Sequence, residues 1–183
     1  AIGGFNTLKM VYDYNPVSKE LNAADVKYIL GAQANLWTEF IPSVSQLEYM
    51  VLPRMLALSE VLWSPLENKD YENFYHRVQS QFRVFDQKGF NYCAGNFTVA
   101  IKPSSQNGKL SVTLSSEIPD ASIYYTTDGS QPDLASTKYE SPVAIDSSVS
   151  LKAVVVIDGK VMGVVPAQQD FVMHKAIGRD VVY

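Results

Sequence analysis

The apolar residues of this chain change period near Tyr92, so a single type of element cannot account for the whole sequence. Before that point Tyr71, Phe74, Tyr75, Val78, Phe82 and Phe85 recur three and four residues apart. This is the stripe of a helix packed on one face. After it, short apolar runs alternate with turn residues, which is the pattern of all-β structure. Phe97-Thr98-Val99-Ala100-Ile101, Leu110-Ser111-Val112-Thr113-Leu114 and Ser122-Ile123-Tyr124-Tyr125-Thr126 read as strands, and residues 149–157 as a further one. Lys102-Pro103-Ser104-Ser105-Gln106-Asn107-Gly108, Asp128-Gly129-Ser130 and Asp158-Gly159 supply turn chemistry. Residues 160–165 are expected to return as a hairpin across Asp158-Gly159. The spacing predicts a β-sandwich of roughly 75 to 80 residues, starting near Asn96.

The first half is organised differently. Residues 28–37 form a mostly apolar run that reads as a strand covered on both faces, although a buried helix segment gives the same pattern. Residues 43–63 read as helix cut by Pro53, which is tolerated in a first turn and not in an interior. The expectation is a short helix followed by a longer one from Pro53 to about Trp63. Asp70 is the expected N-cap of the next helix, and Gly89 its left-handed stop. A lone parallel strand cannot satisfy its own backbone groups. Residues 1–92 are therefore expected to be the last β/α unit of a larger α/β domain. The opening Ala1-Ile2-Gly3-Gly4-Phe5 has neither an initiator Met nor the layout of a signal peptide, so the chain is expected to be cut from something longer.

Composition removes several classes of function. With 46% hydrophobic and 19% charged residues, the chain can bury a core and need not be disordered. A net charge of -4 without any block of one sign leaves no basic patch for nucleic acid or an anionic membrane. No run of about 18 apolar residues is present to span a bilayer. Cys93 is alone, which rules out an intrachain disulfide and a cysteine-rich metal site, and it reads as a small buried apolar residue. His76 and His174 are far apart, and no phosphate-cradling or dinucleotide-binding glycine motif occurs. No metal or cofactor is expected.

The residues that could carry chemistry lie in Gly31-Ala32-Gln33-Ala34-Asn35-Leu36-Trp37-Thr38-Glu39. In extended backbone, residues two apart share a face, so Trp37 and Glu39 could line one pocket at the carboxyl end of a strand. Ligands bind at that end in α/β sheets and barrels. An indole stacks on the C–H face of a sugar, and a carboxylate accepts hydrogen bonds from its hydroxyls. The same spacing is equally met by a core Trp beside an ion-paired Glu. Trp63, next to Val61 and Leu62, reads as core, and Arg54 and Glu60 read as helix-face or interdomain ion pairs. Glycoside hydrolysis usually needs two carboxyl groups, and no adjacent Asp–Glu pair occurs in the sequence.

The longer string around that segment resembles glycoside hydrolase family 20, the β-N-acetylhexosaminidases. It comprises Ile29-Leu30 leading into Gly31 to Glu39, then Glu48-Tyr49-Met50, Pro53-Arg54, Ala57-Leu58-Ser59-Glu60 and Trp63-Ser64-Pro65. Tyr124-Tyr125-Thr126-Thr127-Asp128-Gly129-Ser130-Gln131-Pro132, Tyr139, Pro142 and Leu151-Lys152-Ala153 resemble the small sandwich found behind the barrel in some of these enzymes. The implied fold is an α+β fragment. Residues 1–96 would be the C-terminal part of a (β/α)8 catalytic domain, with its last strand and extra helices. Residues 97–175 would be an all-β immunoglobulin-like sandwich, and 176–183 a linker toward a further module.

The implied activity is exo-acting release of terminal β-linked GlcNAc or GalNAc by substrate-assisted, retaining hydrolysis. In such a mechanism the acetamido oxygen attacks the anomeric carbon, an Asp orients the acetamido group, a Glu protonates the leaving oxygen and a Tyr assists. By this resemblance all three precede the chain, so no catalytic residue lies within it and the fragment alone is not expected to be active. Tyr12 and Tyr14 fall after the family's Tyr and are not given its role. The resemblance makes Trp37 the platform under the terminal sugar and Glu39 the acceptor for its O4 and O6 hydroxyls. The implied partners are an N-acetylhexosamine-containing glycan and the N-terminal barrel portion of the same polypeptide, in the periplasm or outside the cell. For the sandwich two further roles are open: a carbohydrate-binding module using Tyr124, Tyr125 and Tyr139, or a spacer packed on the barrel. Adjacent tyrosines on a strand point to opposite faces, so at most one of Tyr124 and Tyr125 serves a given face.

Overall fold

A computed structural model of the chain describes residues 6–106 and 109–173. The chain divides into two units, Ala1–Asn96 and Phe97–Tyr183. The expected linker at 176–183, together with His174, lies outside the described residues.

The first unit is helical. Helix α1 (Leu8–Asp13) starts where the Thr7 hydroxyl accepts the Met10 amide at 3.2 Å. Helix α2 (Val44–Val51) starts in the same way at Ser43, which accepts the Gln46 amide at 3.1 Å. Pro53 then separates it from α3 (Arg54–Trp63), as the missing proline N–H requires. Helix α4 (Tyr71–Lys88) opens on Asp70, whose carboxylate accepts the Asn73 amide at 3.1 Å. It closes on Gly89 at φ 69°, ψ 24°, a conformation that costs a glycine little. Phe74, Tyr75, Val78 and Phe85 of the expected stripe are buried. The Tyr12 ring stacks on Phe74 with centroids 4.8 Å apart and meets Tyr71 edge-on at 5.3 Å. This places Tyr12 in an aromatic core, where burial pushes its phenol pKa up.

Three expectations for this unit are corrected. Residues 28–37 do not form a strand: Val26–Tyr28 is a 3-10 turn, and residues 29–38 take no regular structure. Strand geometry is held by hydrogen bonds from neighbours, and the described residues of this unit include no sheet to provide them. Trp63 is not core but 89% exposed. The buried positions of α3 are Ala57 and Val61, one turn apart, and two residues beyond Val61 is about 200° around a helix, on the opposite side. Arg54 makes no ion pair among the described residues. Its guanidinium donates to backbone carbonyls instead, through Nε to Asn6 at 2.7 Å and through Nη1 to Met50 and, at 3.5 Å, to Tyr49. Glu60 does pair, with Arg77 of α4, at 2.5 and 3.2 Å in a two-pronged contact. That bond raises the Arg77 pKa.

Among the described residues the second unit has seven strands: β1 (Ala100–Gln106), β2 (Lys109–Ser115), β3 (Ser122–Thr126), β4 (Thr137–Lys138), β5 (Val143–Ile145), β6 (Val149–Ile157) and β7 (Lys160–Phe171). They form two antiparallel sheets, in the orders β1-β2-β5 and β4-β3-β6-β7. Val112, Leu114 and Ile145 of the first sheet share one core with Ile123, Leu151, Ala153, Val155 and Phe171 of the second, as in a sandwich. Leu151, Ala153 and Val155 alternate along β6, the period at which one face of a strand is buried.

The first strand begins three residues later than expected and runs on through the expected turn to Gln106. It is an edge strand, where Pro103 forfeits little by donating no ladder bond. Asp158 (φ 49°) and Gly159 (φ 70°) are both left-handed, as a two-residue hairpin of type I′ requires. The returning strand is longer than expected. Gly163, Val164, Val165 and Pro166 lie between its partners Met162 and Ala167, opposite the single residue Val154. Such an insertion bends a strand, and Gly163 at φ 82° accommodates it. No helix among the described residues is long and apolar enough to cross a membrane.

Candidate functional site

Trp37 is 72% exposed and Glu39 is exposed beside it. Glu39 makes no hydrogen bond or ion pair among the described residues. The structure brings the two onto one exposed segment without enclosing them. Glu39 and Phe40 form the corner of a turn closed by the Ile41 amide donating to the Thr38 carbonyl at 3.1 Å. Four residues past Glu39, Ser43 caps α2. Tyr28, Leu30, Phe40 and Val44 are exposed on the same stretch, Leu30 at 97%.

Helix α2 buries none of its residues, and polar contacts hold it. The Asn91 side-chain amide donates to the Ser45 carbonyl at 3.0 Å and to the Ser45 hydroxyl at 3.1 Å. The Asn91 backbone amide donates to Glu48 Oε2 at 2.9 Å. Farther along, the Cys93 amide reaches the Leu52 carbonyl at 3.1 Å, and Arg54 covers the Tyr49 and Met50 carbonyls. A hydrogen bond with Cys93 raises the Tyr49 pKa. Sequence reading missed Asn91, because a single Asn after a helix stop carries no pattern.

Two other concavities are present. A cleft of about 310 Å³ between α3 and α4 is lined by Leu56, Glu60, Trp63, Phe74 and Arg77 among others. A groove of about 520 Å³ in the second unit is lined by Asp128, Ser150, Gln168 and Asp170 among others. There the Ser150 hydroxyl donates to Asp170 at 2.6 Å and the Ser130 hydroxyl donates to Asp128 at 2.6 Å. These bonds hold both carboxyls below the usual carboxylate range. In both, the named charged groups are engaged within the protein, Glu60 with Arg77 in the first and Asp128 and Asp170 with serine hydroxyls in the second. Of the tyrosines considered for sugar stacking, Tyr125 and Tyr139 pack against the sandwich core and meet edge-on at 6.4 Å.

Residues 1–66 match the model of the glycosyl hydrolase family 20 catalytic domain, and residues 102–165 that of the chitobiase/beta-hexosaminidase C-terminal domain. The likeness to family 20 is carried by residues 1–66 of the first unit. The matched stretch takes in Trp37, Glu39, Arg54 and Glu60. The chain is 35% identical over 158 residues to a Beta-hexosaminidase of Porphyromonas gingivalis, covering 83% of this chain and 20% of that protein. It is 31% identical over 91 residues to a Beta-N-acetylhexosaminidase of Cellulomonas fimi, covering 50% of this chain and 18% of that protein. With the Beta-hexosaminidase subunit beta of Mus musculus it shares 34% identity over 70 residues, 38% of this chain and 13% of that protein. The chain thus spans a fifth or less of the length of each of these relatives.

Proposed function

We propose that this chain is the C-terminal side of an exo-acting β-N-acetylhexosaminidase. The enzyme removes terminal β-linked GlcNAc or GalNAc with the substrate's own acetamido oxygen as nucleophile. In that enzyme residues 28–37 are the eighth strand of a (β/α)8 barrel, hydrogen-bonded by neighbouring strands, and residues 97–175 are an immunoglobulin-like domain behind it. Trp37 is the platform under the terminal sugar and Glu39 accepts hydrogen bonds from its O4 and O6 hydroxyls. The orienting Asp and the proton-donating Glu belong to the upstream barrel, so the chain alone turns over no substrate. A periplasmic or extracellular location goes with this reading.

One observation supports the subsite most directly. The indole and the carboxylate stand out from the fold within the family-matched stretch, with no protein partner for Glu39 among the described residues. In the complete enzyme, Glu39→Gln removes a charged acceptor worth about 1.5–3 kcal/mol. The expected result is a fall in kcat/KM of roughly ten- to one-hundred-fold on a chromogenic β-N-acetylglucosaminide. Unchanged kinetics would remove Glu39 from the site. For the sandwich, the packing of Tyr125 and Tyr139 on the core favours a spacer over a sugar-binding module, and retention of the chain on immobilised chito-oligosaccharide would reverse that choice.

A further inference from the structure

The sequence holds the pair Asp-Gly twice, at 128–129 and 158–159, both in the second unit. Such a pair is reactive where its backbone is free, because a glycine brings no side chain to hinder its amide from approaching the carboxyl group before it. The structure treats the two pairs differently. The Gly129 amide donates to the Ser150 carbonyl at 2.9 Å. The Asp128 carboxylate accepts the Ser130 amide at 2.9 Å and the Ser130 hydroxyl at 2.6 Å. A Cβ on Gly129 would stand 3.3 Å from the Ser150 side chain, so β6 closes that side of the loop. None of this holds at the turn between β6 and β7. Asp158 and Gly159 are exposed, and the Asp158 carboxylate and Gly159 amide make no hydrogen bond among the described residues. A Cβ on Gly159 would meet nothing within 4 Å. Asp158 also sits at φ 49°, a left-handed conformation that a residue with a Cβ adopts at a cost.

We infer that Asp158 is a site of spontaneous isomerisation to isoaspartate, a covalent modification that needs water alone. The Gly159 amide nitrogen loses its proton and bonds to Cγ of Asp158, while the carboxyl group gives up one oxygen as water. One water molecule then opens the five-membered succinimide. Cleavage of the new N–Cγ bond restores aspartate. Cleavage of the original peptide C–N bond leaves the chain running through Cβ and Cγ, with the former main-chain carbonyl as the free carboxylate. No atom is gained or lost, but the backbone is longer by one carbon. A type I′ turn has room for two residues of ordinary length. The adjoining pairs, Ile157 with Lys160 and Val156 with Val161, therefore lose their register. The loosening stops at the insertion of residues 163–166, beyond which pairing resumes at Ala153 with Ala167. Neither residue of the turn belongs to the proposed sugar subsite.

The test is to age the 183-residue chain in buffer, folded and in urea, and to locate isoaspartate by electron-transfer fragmentation of its peptides. In urea both pairs are expected to isomerise alike. In the folded chain the yield at 158 is expected to exceed that at 128 by about ten-fold or more, because only the 128–129 loop must first break its bonds to react. Equal yields in the folded chain, or none at 158, would overturn the assignment. The aged, isomerised fraction is expected to exchange its amide hydrogens about ten-fold faster at residues 156–162 and at an unchanged rate at residues 167–171. Asp158→Glu, whose longer side chain does not close the five-membered ring, is expected to show no such change with age. Loosening with age that persists in this variant, or that is missing from the isomerised fraction, would also overturn it.

Discussion

The Asp70 carboxylate accepts the Asn73 amide at 3.1 Å and thereby satisfies one of the donors left bare at the start of α4. Asp70→Ala is expected to lower stability by about 1 kcal/mol, and Asp70→Ser to restore most of it, as read from urea unfolding followed by far-ultraviolet circular dichroism. A loss common to both variants would mean the cap contributes nothing. Residues of this kind are legible in the sequence because their chemistry is local. Asp70, Gly89 and Asp158-Gly159 each announce the conformation that their neighbours require. Trp63 shows where local reading stops. Its neighbours Val61 and Leu62 are apolar, yet burial in α3 follows Ala57 and Val61, and the angle of 63 from that stripe decides its exposure. Asn91 was illegible for the opposite reason, since its partners Ser45 and Glu48 lie more than forty residues away.

Elements were legible wherever their hydrogen-bond partners lie within the same unit, in the helix itself or, for β6, in β3 and β7. Helices α2, α3 and α4 satisfy themselves, and β6 matches its expected bounds of 149–157. Residues 28–37 have the composition of a buried strand but no bonded neighbour in this unit, and composition alone does not make a ladder. Strands β4 and β5, at two and three residues, are too short to show a period. The second unit also carries a titration, at the end of β7 and in the stretch between β3 and β4. Folding favours the charged form of Asp170 through Ser150, of Asp128 through Ser130 and of Asp133 through Ser136. Their contribution to stability is complete above the ordinary carboxylate pKa of about 4 and is lost as pH falls through the lowered folded values. The second unit is therefore expected to melt at progressively lower temperature below about pH 4, and Ser150→Ala to flatten part of that slope. Thermal melts across pH would show this, and an identical slope in the variant would contradict it.

At the scale of the molecule, the two units differ in how far each is enclosed. The sandwich has a core built from both of its sheets and reads as a domain in its own right. The first unit has its helices and their aromatic core, but the segment holding Trp37 and Glu39 lies open. The pair Trp37 and Glu39 stood out in the sequence because its members are only two residues apart. What encloses that segment did not, since the chain covers a fifth or less of each relative it matches. The exposure of Trp37 and Trp63 has one more consequence. They are the only tryptophans in the chain, so its indole emission is expected to lie near that of free tryptophan in water and to change little when the chain unfolds. A spectrometer following that light would be nearly blind to folding, and a shift to the blue would instead report that something had come to rest against one of those two rings.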